Sequence, residues 1–151
     1  LDHQILDILI DNKRTPFTDI AKRLLISAGT VHVRVKKMEE AGLIKGSSLT
    51  LDYNKMGYSF IAYVGIYLEK THQTKYVLER LKEIPYVTVA HITTGKFNIY
   101  CKVRAKTTEH AKEIIFKIDD IDGILRTETM ISLEESINDK KRLMHTIFND
   151  L

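Results

Sequence analysis

The segment Phe60–Leu68, FIAYVGIYL, is apolar at both parities of a β-strand. Alternate side chains of a strand point to opposite faces of its sheet. Phe60, Ala62, Val64, Ile66 and Leu68 therefore line one face, and Ile61, Tyr63, Gly65 and Tyr67 line the other. Such a strand needs cover on both sides, and the chain's own helices can supply only one. The pattern beyond residue 58 reads as strand 59–69, helix 74–84, strands 86–94 and 97–105, helix 108–118 and strand 124–133. Val77, Leu81 and Ile84 mark the inner stripe of the first helix, and Ala111, Ile114, Ile115 and Ile118 that of the second. Thr74 and Thr107 or Thr108 are suited to cap these helices. A βαββαβ order predicts a ferredoxin-like sandwich, with four antiparallel strands and both helices on one face. The second, aromatic face is then left for another subunit, and a homodimer packed sheet to sheet is the economical reading.

The first fifty residues have a different character. Between Lys13 and Lys37, seven Lys and Arg stand against the single acid Asp19, whereas residues 51–151 hold 15 basic and 14 acidic groups. A basic block on a near-neutral remainder points to a polyanionic partner, with a solvated helix face as the plain alternative. Leu1, Ile5, Ile8 and Leu9 recur at helical spacing after a candidate Asp2 cap. Thr15-Pro16 reads as an N-cap with proline in the first helical position, opening a second helix with Ile20, Ala21 and Leu24 inward. Ser27 is placed to cap a third helix that runs to Ala41 and stops at Gly42.

That third segment is ambiguous, because TVHVRVK alternates as a strand does. The cap, the stop and the helix-favouring KKMEEAG half decide for helix. Its core stripe is then Val31, Val35 and Met38, and Gly29, His32, Val33 and Lys36 face outward with Thr30 and Lys37 at the edge. An outward valine among a histidine and lysines suits the major groove of DNA, where an apolar group meets a thymine methyl and His32 or Thr30 meets a base edge. Arg34, Lys36 and Lys37 would serve phosphates. Helix, short turn and reading helix make a helix-turn-helix. LIKGSSLTL then predicts a hairpin wing around Gly46-Ser47-Ser48, with Lys45 toward the DNA backbone. Ser27 completes the candidate DNA-contacting set at the N-terminus of the reading helix.

The expected organisation is thus an α+β chain, with a winged helix-turn-helix domain over 1–50, a connector LDYNKMGY over 51–58, a ferredoxin-like domain over 59–135 and a helical tail over 136–151. In the tail, Leu143, Ile147 and Leu151 align on one side, for docking on a neighbour. No apolar run reaches the ~18–20 residues that cross a bilayer. A lone cysteine, Cys101, excludes an internal disulfide and a Cys-rich metal site, and the cytoplasm is the default compartment. His91 and Cys101 on neighbouring strands lack a third orienting group, so they do not make a catalytic pair. Asp119-Asp120-Ile121-Asp122 lacks the spacing of a calcium loop and fits a helix end instead. Neither an enzymatic activity nor a cofactor or metal site is expected. Around TTGKFN (93–98), two readings stay open on the residues alone: a two-residue hairpin with Gly95 first in a type II′ turn, or a small-ligand site.

Taken together, LDHQILDILIDNKRTPFTDIAKRL, TVHVRVKKMEEAGLIKG, the LDYNKMGY connector and TTGKFNIY resemble the Lrp/AsnC, or feast/famine, family of transcription regulators across residues 1–135. The reading helix and the doubled threonine before the glycine are most similar to the asparagine-responsive AsnC branch. The resemblance implies a sequence-specific regulator that binds double-stranded DNA. It implies homodimers assembling into tetramers or octamers, and an amino-acid effector bound between dimers. It selects Thr93, Thr94, Gly95, Lys96, Phe97 and Asn98 for that effector, with Ile131, Ser132, Leu133 and Glu134 from a neighbour. Many members have Asp where this chain has Asn98, which leaves two roles open for Glu134, to supply the missing charge or to recognise a polar or basic effector side chain. It also leaves open an unusual effector, weak binding or a site that has lost its ligand. The alternative function is an effector-independent architectural DNA-binding protein.

Overall fold

The computed structural model describes residues 1–46 and 49–150. In chain order the elements are α1 (Asp2–Leu9), α2 (Phe17–Leu24), α3 (Ala28–Glu40), β1 (Phe60–Leu68), α4 (Thr74–Leu81), β2 (Val87–Ile92), β3 (Ile99–Ala105), α5 (Thr108–Asp119), β4 (Ile124–Ile131) and α6 (Lys141–Asn149). They form two compact units, Leu1–Thr50 with Ser136–Leu151, and Leu51–Glu135.

In the first unit, helix wins the contest over residues 31–37. Ser27 Oγ accepts a hydrogen bond from the Thr30 amide at 3.1 Å, which satisfies one of the orphan donors of the first turn. At the other end Gly42 takes φ +78°. The Leu43 amide bonds Met38 O and the Gly42 amide bonds Glu39 O, a Schellman closure. Between these ends Val31, Val35 and Met38 are buried against Ile5, Ile20 and Ala21. Burial of this stripe outweighs the local β preference of three valines.

Two expected caps are corrected. Asp2 is the first residue of α1 and caps nothing; its carboxylate pairs with Arg34 at 3.3 Å. Pro16, not Thr15, is the N-cap of α2, while Thr15 Oγ1 bonds Asn12 O. The arms of the expected wing, Leu43–Gly46 and Leu49–Thr50, contain no strand, and its tip Ser47-Ser48 lies outside the described residues.

The tail helix α6 packs with α1 inside the first unit. Its docked side differs from the expected one: Leu143 and Ile147 stay exposed, Leu151 lies outside the described residues, and Met144, His145 and Phe148 are half-buried. His145 Nδ1 bonds Asp7 Oδ1, and Nε2 bonds Asp11 Oδ1 at 3.1 Å. Both ring nitrogens facing carboxylates requires the imidazolium form.

In the second unit, the antiparallel sheet has the order β2-β3-β1-β4. Val64, Ile66 and Leu68 of β1 pack with Ile99, Cys101 and Val103 of β3 beneath Val77 and Leu81 of α4 and Ala111, Ile114 and Ile118 of α5. Thr107 caps α5 through the His110 amide at 3.1 Å. α4 is entered through the 3₁₀ turn Thr71–Gln73 instead, and Thr74 Oγ1 bonds Thr71 O. The 51–58 connector is pinned to the sheet: Arg104 donates to Tyr58 O at 2.8 Å and Asn54 Oδ1 at 3.1 Å, and lies over the Tyr53 ring.

The hydrogen bonds to Asp7, then Asp11, raise the His145 pKa above its ordinary 6.5. The His145 contribution to stability is therefore at full strength below about pH 6.5, and is lost as pH rises through the higher folded-state value. Wild type should melt above His145→Ala at about pH 6, with the difference shrinking as the pH is raised through the folded-state value. A difference constant with pH would contradict the imidazolium assignment.

Candidate functional site

Two surfaces hold the residues singled out in the sequence. On α3, Gly29, Thr30, His32, Val33, Lys36 and Lys37 are all exposed, opposite the buried Val31, Val35 and Met38. Val33 is 50% exposed among these polar groups. The His32 ring lies against Phe17 of α2, 5.9 Å between centroids, which limits the directions its nitrogens can take. Ser27 and Thr30 share a hydroxyl–hydroxyl contact of 2.8 Å at the helix N-terminus. Ser27 thus acts first as a cap. Arg34 is drawn toward α1 by its ion pair with Asp2 although it stays exposed, and Lys36 and Lys37 are exposed on the same helix. Lys45 is exposed beyond the end of α3.

The turn between α2 and α3 has a feature that no glycine announces. Leu25 adopts φ +57° as the C-cap of α2 and is 91% exposed. The left-handed conformation costs a non-glycine residue ~1–2 kcal/mol, because Cβ crowds the following carbonyl.

The second surface is the outer face of the sheet. Between β2 and β3 the connection runs from Thr93 to Asn98, longer than the two-residue turn considered above. It closes on the Thr93 amide to Asn98 O (3.1 Å) and Thr93 Oγ1 to Phe97 O (3.0 Å). Gly95 has φ +91°, with open space where a side chain would stand. Thr94, Gly95 and Lys96 are exposed, and Thr93, Phe97 and Asn98 are half-buried.

Phe97 folds back onto β1. A Cβ on Gly65 would stand 2.3 Å from the Phe97 ring, so the missing side chain is what lets the ring lie there. The ring meets Tyr67 at 5.2 Å and Tyr100 at 5.8 Å, and Tyr100 stacks on Tyr63 at 6.0 Å. Lys96 then reaches Glu128 Oε2 of β4 at 3.4 Å, while the Tyr67 hydroxyl donates to Glu128 Oε1 at 3.1 Å. Hydrogen bonding to Tyr67 and Glu128 raises the Lys96 pKa above the ordinary lysine value.

Asn98 is not a free acceptor. Its Oδ1 takes the Leu68 amide at 2.9 Å and its own amide bonds Ile66 O at 2.9 Å, so the side chain extends the ladder between β1 and β3. Nor does one chain bring the two halves of the expected effector site together. Asn98 is bonded at the Ile66–Leu68 end of β1, whereas the Ser132 amide bonds Ile61 O near the opposite end. Ile61 and Ile66 are ~16 Å apart at ~3.3 Å per residue. Glu134 lies beyond Ser132 and so cannot serve the 93–98 loop of its own chain. Glu128 was missed in the sequence; only the β1–β4 register, which sets it opposite Gly65, places it at this loop.

Other candidates have structural roles. Burial pushes the Cys101 thiol up to about 12, and Sγ contacts Val64 O at 3.6 Å, which leaves an inert core thiol. Asp119 ends α5 and accepts from Thr127 Oγ1 at 2.7 Å. Among the described residues no group of His, Cys, Asp and Glu could hold a metal, and no helix is long and apolar enough to cross a membrane.

Residues 1–45 match the winged helix-turn-helix DNA-binding family, and residues 61–141 match the Lrp/AsnC ligand binding domain. The regulatory protein AsnC of Haemophilus influenzae is 38% identical over 138 residues, covering 91% of this chain and 92% of that protein. The structure of Escherichia coli AsnC is similar at a TM-score of 0.90 and 34% identity, over 92% of this chain and 94% of that one. A feast or famine regulatory protein from M. tuberculosis, complexed with L-methionine, shares the fold at a TM-score of 0.81 and 22% identity, over 91% of this chain and 92% of that one.

Replacing Leu25 by glycine tests the strain in the helix-turn-helix turn. Relief of ~1–2 kcal/mol exceeds the ~0.5–1 kcal/mol entropic penalty of a glycine. Leu25→Gly should therefore raise the melting temperature of the chain with no loss of helical content; a lower melting temperature would mean that the leucine makes a stabilising contact.

Proposed function

From the premise that this chain belongs to the Lrp/AsnC family of DNA-binding transcription regulators, we propose that α3 reads double-stranded DNA through His32, Val33 and Thr30. Lys36, Lys37 and Lys45 hold the backbone. The observation that carries this assignment is Val33, half exposed between His32 and Lys36 on the face opposite the core. An exposed apolar side chain gains nothing in water and gains a thymine methyl contact in the major groove. Ser27 caps the helix end and Arg34 supports the packing of α3 on α1; these two and the exposed Gly29 come near DNA by position.

We further propose that the regulator works in the cytoplasm as a homo-oligomer and responds to a small effector, an amino acid. A second copy covers the aromatic face of Tyr63, Tyr67, Phe97 and Tyr100, which pairs two reading helices for a two-fold operator. The effector is held by the loop Thr93, Thr94, Gly95, Lys96, Phe97 and Asn98, with Ser132 and Glu134 contributed by another copy. The separation of those two groups along β1 favours a site shared between chains, in dimers assembled into tetramers or octamers. The M. tuberculosis protein bound to L-methionine lends the ligand class.

In competition binding, His32→Ala and Val33→Ala should shrink the gap between operator and random DNA by ~1–3 kcal/mol. Lys36→Ala should weaken binding to all sequences alike and lower the salt slope by about one. If all three variants lose affinity uniformly, the protein is an architectural DNA binder. A thermal-shift screen of the twenty amino acids tests the effector, since a ligand at a hundred times its Kd stabilises by ~2.7 kcal/mol.

A further inference from the structure

A zwitterionic effector needs a group of each sign within its own length. Asn98 is neutral and bonded to the β1 backbone, and within one chain Glu134 lies beyond Ser132, toward the far end of β1 from the loop. Glu128 is the acid that the loop does meet. It stands on the outer face of β4, opposite Gly65. Its carboxylate is oriented by the Tyr67 hydroxyl on one oxygen and by Lys96 on the other. Lys96 Nζ lies 5.8 Å from the centre of the Phe97 ring, and the Arg126 guanidinium covers Tyr67 at 4.2 Å. Carboxylate, ammonium and aromatic bodies thus converge at the loop end of the face.

Within one chain the Lys96 and Glu128 side chains are 65% and 42% exposed, so a ligand reaches both in an oligomer whose second copy leaves the loop end of the face open. An ion pair that open to water holds together by only ~0–1 kcal/mol, so separating it is easily compensated. The lysine also follows the Gly95 bend, whose φ of +91° suits glycine and which has open space where a Cβ would stand.

We propose that Lys96 and Glu128 are the charge-recognition pair of the effector site. A free α-amino acid inserts between them, its ammonium on the Glu128 carboxylate and its carboxylate on Lys96 Nζ. The inference rests on the reading of residues 93–98 as the effector loop. One internal ion pair becomes two, with no change in net charge of the complex. A carboxylate without an amine, or an amine without a carboxylate, satisfies one member of the pair and leaves the other unmatched. The site therefore selects zwitterions whatever their side chain, and it explains how a chain with a neutral residue at 98 keeps an anionic partner for an ammonium group.

Calorimetric titration of the full-length chain with the twenty L-amino acids tests this, followed by the α-amide and N-acetyl derivatives of the tightest binder. Glu128→Gln should raise the Kd of that amino acid at least tenfold, and Glu128→Asp should recover part of the loss. Lys96→Met should raise the Kd at least fivefold and abolish the preference for the free acid over its α-amide. Wild type should not bind the N-acetyl derivative. Lys96 is exposed, so its variant keeps the test available even if Glu128→Gln unfolds. Amino-acid binding that is unchanged in both Glu128→Gln and Lys96→Met would overturn the pair and leave the effector loop standing. Absence of amino-acid binding to wild type would overturn both.

Discussion

The Phe97 ring lies on the bare backbone of Gly65, and the outer face of the sheet is organised by that contact. A side chain at 65 would occupy the space of the ring. With the ring in place, Tyr67 and Tyr100 flank it, Tyr63 stacks beyond, and the chain between Thr93 and Asn98 is held over the face. Asn98 fastens the end of that loop to the Leu68 amide. Lys96 is thereby set on the β4 side, at Glu128. Glycine in the middle of a strand weakens it intrinsically; here the loss of a side chain is offset by a better-packed aromatic one.

The helix-turn-helix unit follows the same logic of a few fixed points that free a surface. Ser27 and Gly42 close the two ends of α3, and Ile5, Ile20 and Ala21 bury one side of it. Asp2 draws Arg34 back onto α1. What remains outward is a compact set of His32, Val33, Lys36 and Lys37, which is the chemistry a major groove asks for. The α6 helix adds a clasp on α1 through one charged histidine between two aspartates.

Much of this was legible in the residues. The two-sided strand 60–68, the inward stripes of α4 and α5 and the Ser27, Thr107 and Gly42 signals are local patterns, and the fold obeys them. The helix over 31–37 was legible only because its ends were marked, since its interior reads as strand. Cross-strand facts were not legible, because register is a property of two segments at once. Thus the pairing of Glu128 with Lys96, the use of Asn98 as a ladder extension and the distance from Ser132 to the loop all emerge only with the sheet. The docked side of α6 was misread for a similar reason. Leu143 and Ile147 form the better apolar stripe, yet a charged histidine decides which side meets α1. The left-handed turn at Leu25 carries no glycine and leaves no mark in the sequence.

A double-mutant cycle on stability probes the Gly65–Phe97 contact most directly. Gly65→Ala in the wild-type background should destabilise by ~1–3 kcal/mol, the range for overpacking, because the ring must leave its seat. With Phe97→Ala already in place, the same change should be neutral or stabilising, since alanine suits a strand better than glycine does. A Gly65→Ala penalty that is the same in both backgrounds would show that the ring does not lean on this glycine, and the account of the outer face would fail with it.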